Sequence, residues 1–194
     1  RLWTKQDRCI ADFVPAADKK LLLENIQIQI KPGEKKSIFD QKKGGRVLGI
    51  EFYPDETHPD FNKNLDILIR WDADLNPAVD CPLADFFGYA FGKPAMESLL
   101  LGSKASLRYC YFPMPFDRKA NIQLIYRKAD SPLAAIQVKA RIYYSKNKRD
   151  SAKEGRFYSS WNSNILFREN GPHAFLNPAG KGHYVGTILQ ARGL

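Results

Sequence analysis

The alternation of apolar and polar residues constrains this chain more than any other feature of its sequence. Between positions 25 and 30, Ile26, Ile28 and Ile30 alternate with polar side chains, and a turn follows at Pro32 and Gly33. Runs with the same period occupy 65–71, 107–111, 120–126, 136–144 and 183–189. A period of two buries one face of a strand and exposes the other, as in antiparallel sheets. The chain is therefore predicted to consist mainly of such strands.

The strand count and the lengths of the connections predict the fold class. About eight strands are expected, and many of their connections are longer than a meander requires. Long crossing connections favour Greek-key topology, and two packed sheets of this size favour an all-β jelly-roll β-sandwich over 19–194. Helical patterns are scarce, although 82–88 suits a single turn with Pro82 at its start and Gly88 at its exit. Residues 1–18 show a weaker pattern and are predicted to form an arm or an inter-domain linker.

Composition and charge exclude several classes of protein. The 194 residues include 12 Phe, 9 Tyr and 3 Trp, which a disordered chain would lack. No apolar run approaches the ~18 residues of a membrane span, so no membrane partner is expected. The net charge of +9 attracts anions without fixing the fold. Many of the cations lie within 35–46 and 139–156. Solvent-exposed lysines are the simpler interpretation, and nucleic-acid binding, for which no motif is present, is the alternative.

The cysteines and histidines do not form a recognisable ligand set. The three cysteines, Cys9, Cys81 and Cys110, fit no zinc or redox spacing. The three histidines are not paired at the sequence spacing of metal ligands. Cys110 lies within an aromatic strand pattern and is predicted to be a buried thiol. We therefore expect neither a metal site nor a cofactor.

Two segments combine carboxylates with aromatic rings, a composition typical of sugar-binding sites. Segment 71–88 contains four aspartates around aromatic residues, and segment 109–116 is rich in Tyr and Phe. Rings stack on the C–H faces of sugars, and carboxylates accept hydrogen bonds from hydroxyls. Glycoside cleavage needs two carboxyl groups, about 5–5.5 Å apart for retention or about 6.5–9.5 Å apart for inversion. The catalytic residues are left unassigned, with Asp72, Asp74 and Asp85 as the fallback candidates if the chain itself is active. The candidate substrate contacts are Trp71, Asp85, Phe87, Tyr111, Phe116, Trp161 and His183.

Each of these candidates also has a structural alternative. Asp72 and Asp74 precede Pro77 and suit a turn stabilised by side-chain-to-backbone hydrogen bonds. Asp85 is placed to cap the short helical turn. The phenylalanines of both segments suit the core, and Trp161 and His183 also have structural interpretations.

Several of these segments resemble one family, glycoside hydrolase family 172. Residues 71–77 and 82–88 resemble its WDGE…PSVEVPLGDFFG pattern, and 111–120 resembles its PMPF…A strand. Residues 157–161 are similar to its YFHAxW segment, and 180–186 to GxGHYVG. The resemblance covers about 44–190. It implies one copy of a double jelly roll, assembly into trimers or hexamers like capsid proteins, and action on difructose anhydride or α-fructofuranosides.

The sequence also departs from this family in ways that bear on catalysis. The family's two catalytic glutamates lie in WWGEGDE and GTGTEDY motifs after the GHYVG strand, and neither motif is present here. Ala73 and Asp74 replace the glycine and glutamate of the family's DGE pattern. The resemblance thus implies a scaffold or partial-site domain whose catalytic pair lies outside this chain. A non-catalytic glycan-binding or assembly domain is the alternative. Export of family members favours an extracytoplasmic location.

Overall fold

The computed structural model describes residues 20–55, 61, 64–91, 93–127, 134–163, 175–177 and 179–190. Its elements in chain order are β1 (Leu22–Ile30), β2 (Lys35–Lys42), β3 (Gly45–Tyr53), β4 (Leu65–Trp71), β5 (Val79–Pro82), α1 (Leu83–Phe86), β6 (Tyr89–Ala90), β7 (Lys93–Pro94), β8 (Leu101–Ser103), β9 (Arg108–Cys110), β10 (Met114–Phe116), β11 (Lys119–Tyr126) and β12 (Ile136–Ser145). The predicted arm over 1–18 lies outside the described residues.

Two antiparallel sheets form the body of the protein. The larger sheet has the order β1-β12-β3-β9-β8, with β10 also pairing with β3, and the smaller one has the order β2-β11-β4-β5. The first strand thus lies beside the last, and β2 lies beside β11, so the chain crosses between sheets instead of forming consecutive hairpins. This arrangement confirms the predicted jelly-roll β-sandwich.

The alternating segments form the core between the sheets. In β11 every second residue, from Ala120 to Tyr126, is buried, and β12 buries alternate residues from Ile136 to Ile142. Trp71 at the end of β4 is fully buried and stacks against Phe116, with ring centroids 6.2 Å apart. Removing such apolar surface from water is the main favourable contribution to folding.

The predicted helical turn is present as α1, directly after β5. Pro82 occupies the N-cap position, and Gly88 follows with a φ of +79°, a conformation that favours glycine. A Cβ atom at Gly88 would lie 2.8 Å from the Met96 side chain, so a larger residue would also meet a steric clash. The proposed cap by Asp85 is wrong, because α1 has no side-chain cap hydrogen bond.

The predicted strand over 183–189 is not formed. Residues 179–190 form no strand, and large side chains in this segment are exposed, among them Tyr184, Val185 and Leu189. A hydrogen bond from the Gln190 side chain to the Tyr89 carbonyl joins the segment to the rest of the chain (2.9 Å). Alternation produces a strand only when a partner edge accepts the backbone hydrogen bonds, and no described strand pairs with this segment. Among the described residues, no helix is long and apolar enough to cross a membrane.

Candidate functional site

Asp72 lies immediately after β4, with its carboxylate turned into the protein. Its side chain is 4% exposed. Its Oδ1 accepts hydrogen bonds from the backbone N–H groups of Asp117 (3.1 Å), Arg118 (2.6 Å) and Lys119 (3.0 Å). Its Oδ2 accepts a bond from the Arg156 guanidinium at 3.0 Å. The carboxylate thus joins the end of β4 to the turn between β10 and β11.

These contacts also determine the protonation of Asp72. Burial by itself raises the pKa of this carboxyl group, but the backbone hydrogen bonds from Arg118, Lys119 and Asp117, with Arg156, outweigh it and lower the pKa below its ordinary value. A general acid in glycoside cleavage needs a raised pKa. The pKa of Asp72 is shifted in the opposite direction, so its carboxyl group is ionised near neutral pH and holds no proton to donate.

Asp74 shares the same guanidinium. Its Oδ1 accepts a hydrogen bond from Arg156 (3.2 Å), and its Oδ2 accepts one from the Tyr158 hydroxyl (2.7 Å). The alternative for Asp72 and Asp74 was a local turn before Pro77, but the side-chain partners of both residues lie 45 to 84 residues further along the chain. The local-turn interpretation therefore describes neither side chain.

Two further ion pairs hold the segment that follows β12. Arg149 binds both oxygens of Asp117 through its Nε and Nη2 (2.7 and 2.8 Å), and Arg46 binds both oxygens of Glu154 (2.8 and 3.0 Å). Planar guanidinium and carboxylate groups in this geometry form strong, directional pairs. Residues 146–158 are thereby fixed to the end of the sandwich without strand pairing. We call these pairs, with the contacts of Asp72 and Asp74, the carboxylate–arginine network.

Asp85 lies on α1 and has a different partner. Its Oδ2 accepts a hydrogen bond from the indole N–H of Trp161 at 2.9 Å, and the Trp161 side chain is 44% exposed. Asp66 and Asp80 lie close enough to act electrostatically on this region. Here the accessible ring of Trp161 adjoins the carboxylate of Asp85, and both residues were predicted as sugar contacts.

Asp66 was not among the predicted site residues, yet the pKa of its carboxyl group is raised, which is the direction that a general acid requires. Burial raises the pKa of its carboxyl group, Arg127 opposes this shift, and Asp80 and Asp85 reinforce it. Its Oδ2 pairs with Arg127 at 3.1 Å, and its buried Oδ1 has no hydrogen-bond partner among the described residues. In the sequence Asp66 appears only as the polar member of an alternating strand, which is why it was missed.

The other predicted contacts lie in separate places. Trp71, Phe87 and Phe116 are all at most 1% exposed and pack in the core, so their rings are not available to a ligand at the surface of the described chain. Tyr111 is also buried. His183 is exposed within the unpaired segment 179–190. The structure therefore brings together Asp85 with Trp161 and Asp72 with Asp74, and it does not join these two groups into one site.

Glu51 is a buried carboxylate that sequence analysis did not select. It lies on β3, and its oxygens accept hydrogen bonds from the hydroxyls of Tyr53 (2.6 Å), Tyr111 (2.7 Å) and Tyr143 (3.2 Å). Burial and the Glu51 charge both raise the pKa values of all three phenols. The only available signal was a glutamate within the apolar strand 47–52, and its partners are scattered through the sequence. The geometry is that of a satisfied structural carboxylate.

The thiols and the metal-binding side chains offer no reactive centre in the described part of the chain. Burial raises the pKa of the Cys110 thiol to about 12 and also raises that of Cys81, so both remain protonated. The prediction that Cys110 is a buried thiol is confirmed. No group of three or more His, Cys, Asp or Glu side chains among the described residues is arranged to hold a metal ion.

Comparison with solved structures finds distant matches among viral capsid proteins. The subviral particle of infectious bursal disease virus VP2 has a TM-score of 0.35 and 10% identity, with 66% of this chain and 33% of that chain covered. Infectious bursal disease virus of the Gx strain has a TM-score of 0.33 and 8% identity over the same shares of the two chains. The chain spans about a third of the length of these structures. Similarity at this level has no bearing on function.

Comparison with known sequences is more specific. No curated protein matches the chain. A family model described as GH172 domain-like matches residues 20–138, which is more than half of the chain, and confirms the resemblance to glycoside hydrolase family 172. The chain belongs to the GH172 domain-like family.

Proposed function

We propose that this chain is a scaffold jelly roll of a carbohydrate-active protein that acts on fructofuranosides or difructose anhydride. In this proposal the chain forms one wall of a sugar site, and the catalytic carboxylate pair is supplied by another part of the assembly. Membership of the GH172 domain-like family supports the carbohydrate class.

The engagement of the candidate catalytic carboxylates supports the scaffold role. Asp72 accepts hydrogen bonds from three backbone N–H groups and a guanidinium, and Asp74 is bound by Arg156 and Tyr158. A nucleophile or general base must present a free oxygen to the substrate, and a general acid must hold a proton near neutral pH. Asp72 meets neither requirement while the carboxylate–arginine network is intact, and both oxygens of Asp74 are engaged by Arg156 and Tyr158.

An activity assay on the folded chain tests this proposal. The chain is incubated with difructose anhydride, aryl α-fructofuranosides and aryl α-arabinofuranosides, and released sugar is measured. We expect no turnover above background. Turnover that is lost in Asp85→Asn but retained in Asp80→Asn, its neighbouring control, would contradict the proposal and assign catalysis to this chain.

Binding of a neutral glycan at Trp161 is a second candidate function. The observation that favours it is the exposed indole ring, whose orientation is fixed by the hydrogen bond to Asp85. A ring held in this way can stack on a sugar without losing side-chain entropy on binding. Calorimetry with fructans and arabinans tests this role. Trp161→Ala is expected to abolish binding, whereas Tyr184→Ala, another exposed aromatic, leaves it unchanged. Equal affinities of the two variants would refute a site at Trp161.

Self-association is a further part of the proposal. The jelly rolls of this family, by the resemblance described above, form trimers or hexamers, and the exposed apolar side chains of 179–190 are compatible with a subunit contact. Light scattering after size-exclusion chromatography measures the mass directly. A single species at the monomer mass, at all accessible concentrations, would contradict this part.

A further inference from the structure

One end of the sandwich carries an excess of positive charge on three adjacent turns. Lys42 is the last residue of β2, and Lys43 follows it in the turn to β3. Arg118 lies in the turn between β10 and β11, and Lys146 and Lys148 lie directly after β12. All five side chains belong to exposed residues. The three turns are far apart in sequence, so it is the fold that brings these side chains to one end of the sandwich.

Backbone contacts show that the three turns adjoin one another. Lys42 is the register partner of Lys119, and the Gly44 N–H donates a hydrogen bond to the Arg118 carbonyl at 3.2 Å. A Cβ atom at Gly44 would lie 3.2 Å from the Lys148 side chain, and one at Gly45 would lie 3.5 Å from the Lys146 Cα. The glycine pair allows this close approach, and the cations surround it.

The carboxylates at this end are already occupied by other cations. Asp117 pairs with Arg149, Glu154 with Arg46, Asp150 with Lys153, Asp40 with Lys119, and Asp72 and Asp74 share Arg156. None of the five cations defined above has an ion-pair or side-chain hydrogen-bond partner among the described residues. Uncompensated charge of one sign on fixed turns creates a positive potential that attracts polyanions.

We propose that Lys42, Lys43, Arg118, Lys146 and Lys148 form a binding surface for an anionic polysaccharide that carries uronate or sulfate groups. The carbohydrate-active family favours a polysaccharide over a nucleic acid. Sites for single-stranded nucleic acids commonly combine such cations with aromatic rings on which bases stack. The exposed ring of Tyr158 is already engaged by other groups of the chain. The Arg156 guanidinium lies 5.8 Å from its centroid, and its hydroxyl donates a hydrogen bond to Asp74.

Titration with polygalacturonate and heparin, followed by fluorescence anisotropy or calorimetry, tests the surface. The variant Lys42→Gln/Lys146→Gln/Lys148→Gln is expected to lose about tenfold or more in affinity at low salt, since each contact displaces condensed counterions. The matched control Lys35→Gln/Lys93→Gln/Lys139→Gln removes the same charge from exposed positions elsewhere and is expected to change affinity less than about twofold. Thermal melting checks that both variants are folded.

Three outcomes would overturn the proposal. They are an absence of binding to both polysaccharides at low salt, an equal loss in the two triple variants, and tighter binding to duplex DNA of similar charge than to either polysaccharide. The proposal goes beyond the proposed function and shares with it only the carbohydrate class of the family. Binding is measured without turnover, so failure of the hydrolysis assay leaves this inference unaffected.

Discussion

Residues 136–145 and 183–189 carry the same alternation of apolar and polar side chains but have different structures. The first segment is β12, which pairs with β1 on one side and β3 on the other and buries alternate residues from Ile136 to Ile142. The second segment pairs with no strand in the part of the chain that the structure describes, and its apolar side chains are exposed. Alternation thus indicates that a segment is able to form a strand, and the presence of a partner edge decides whether it does.

A third region, 146–163, shows another way of ordering backbone without strands. It is joined to the sandwich by the carboxylate–arginine network, by the hydrogen bond from the Trp71 indole to the Phe157 carbonyl (2.7 Å) and by one from Ser159 N–H to the Ala78 carbonyl (2.8 Å). Polar contacts therefore replace the ladder there. Three experiments with substituted variants test how these regions differ.

The largest difference is expected between Ile142→Ala in β12 and Val185→Ala in the unpaired segment. Ile142 is fully buried, so its truncation is expected to lower the free energy of unfolding by about 2–5 kcal/mol. Val185 is 59% exposed, and its truncation is expected to cost less than about 0.5 kcal/mol. Urea denaturation measures both values. A comparable loss for Val185→Ala would show that this segment is packed as firmly as β12.

A smaller effect is expected when the network loses its central carboxylate. Asp72→Ala leaves three backbone N–H groups and Arg156 without this acceptor and is expected to destabilise the fold by about 1–3 kcal/mol. Asp40→Ala serves as the control, because Asp40 forms an exposed pair with Lys119 at 3.6 Å that contributes at most about 1 kcal/mol. Equal costs for the two variants would contradict the structural role of Asp72.

The smallest effect is expected for Tyr158→Phe. This change removes the hydroxyl that donates to Asp74 but keeps the ring, so we expect a loss of about 0.5–1 kcal/mol. Proteolysis under native conditions is a sensitive measurement here, with faster cleavage expected within 146–163 and unchanged cleavage within β12. Faster cleavage throughout the chain would show that the contact supports the whole fold.

Alternation predicted β1, β4, β11 and β12 correctly, and it failed at 183–189, which pairs with no described strand. It missed β2, whose apolar residues Ile38 and Phe39 are adjacent, because the register shifts opposite Ile122 and Gln123 and both side chains are buried. The shortest strands, β6 to β10, have only two or three residues each. Of these, β9 lies within the predicted alternating run 107–111, and the existence of the others depends on pairing and not on a periodic pattern.

The candidate site was harder to predict for the same reason. Asp72 and Asp85 were recognised as carboxylates near aromatic rings, but their partners Arg156 and Trp161 lie 84 and 76 residues away in sequence. Spacing carries no information about such contacts. Consequently the sequence identified the acidic groups but not whether they are free to react.

The protonation of Asp72 tests most directly whether its carboxylate serves the fold instead of catalysis. Its pKa is lowered in the folded state, so its contribution to stability is complete above the ordinary aspartate value of about 3.9 and is lost as the pH falls through the folded value. The measurement is a pH titration of the Asp72 carboxyl carbon by NMR, assigned by comparison with Asp72→Asn. We predict a midpoint below about 3.9, and a midpoint above about 5, the range of a general acid, would contradict the account.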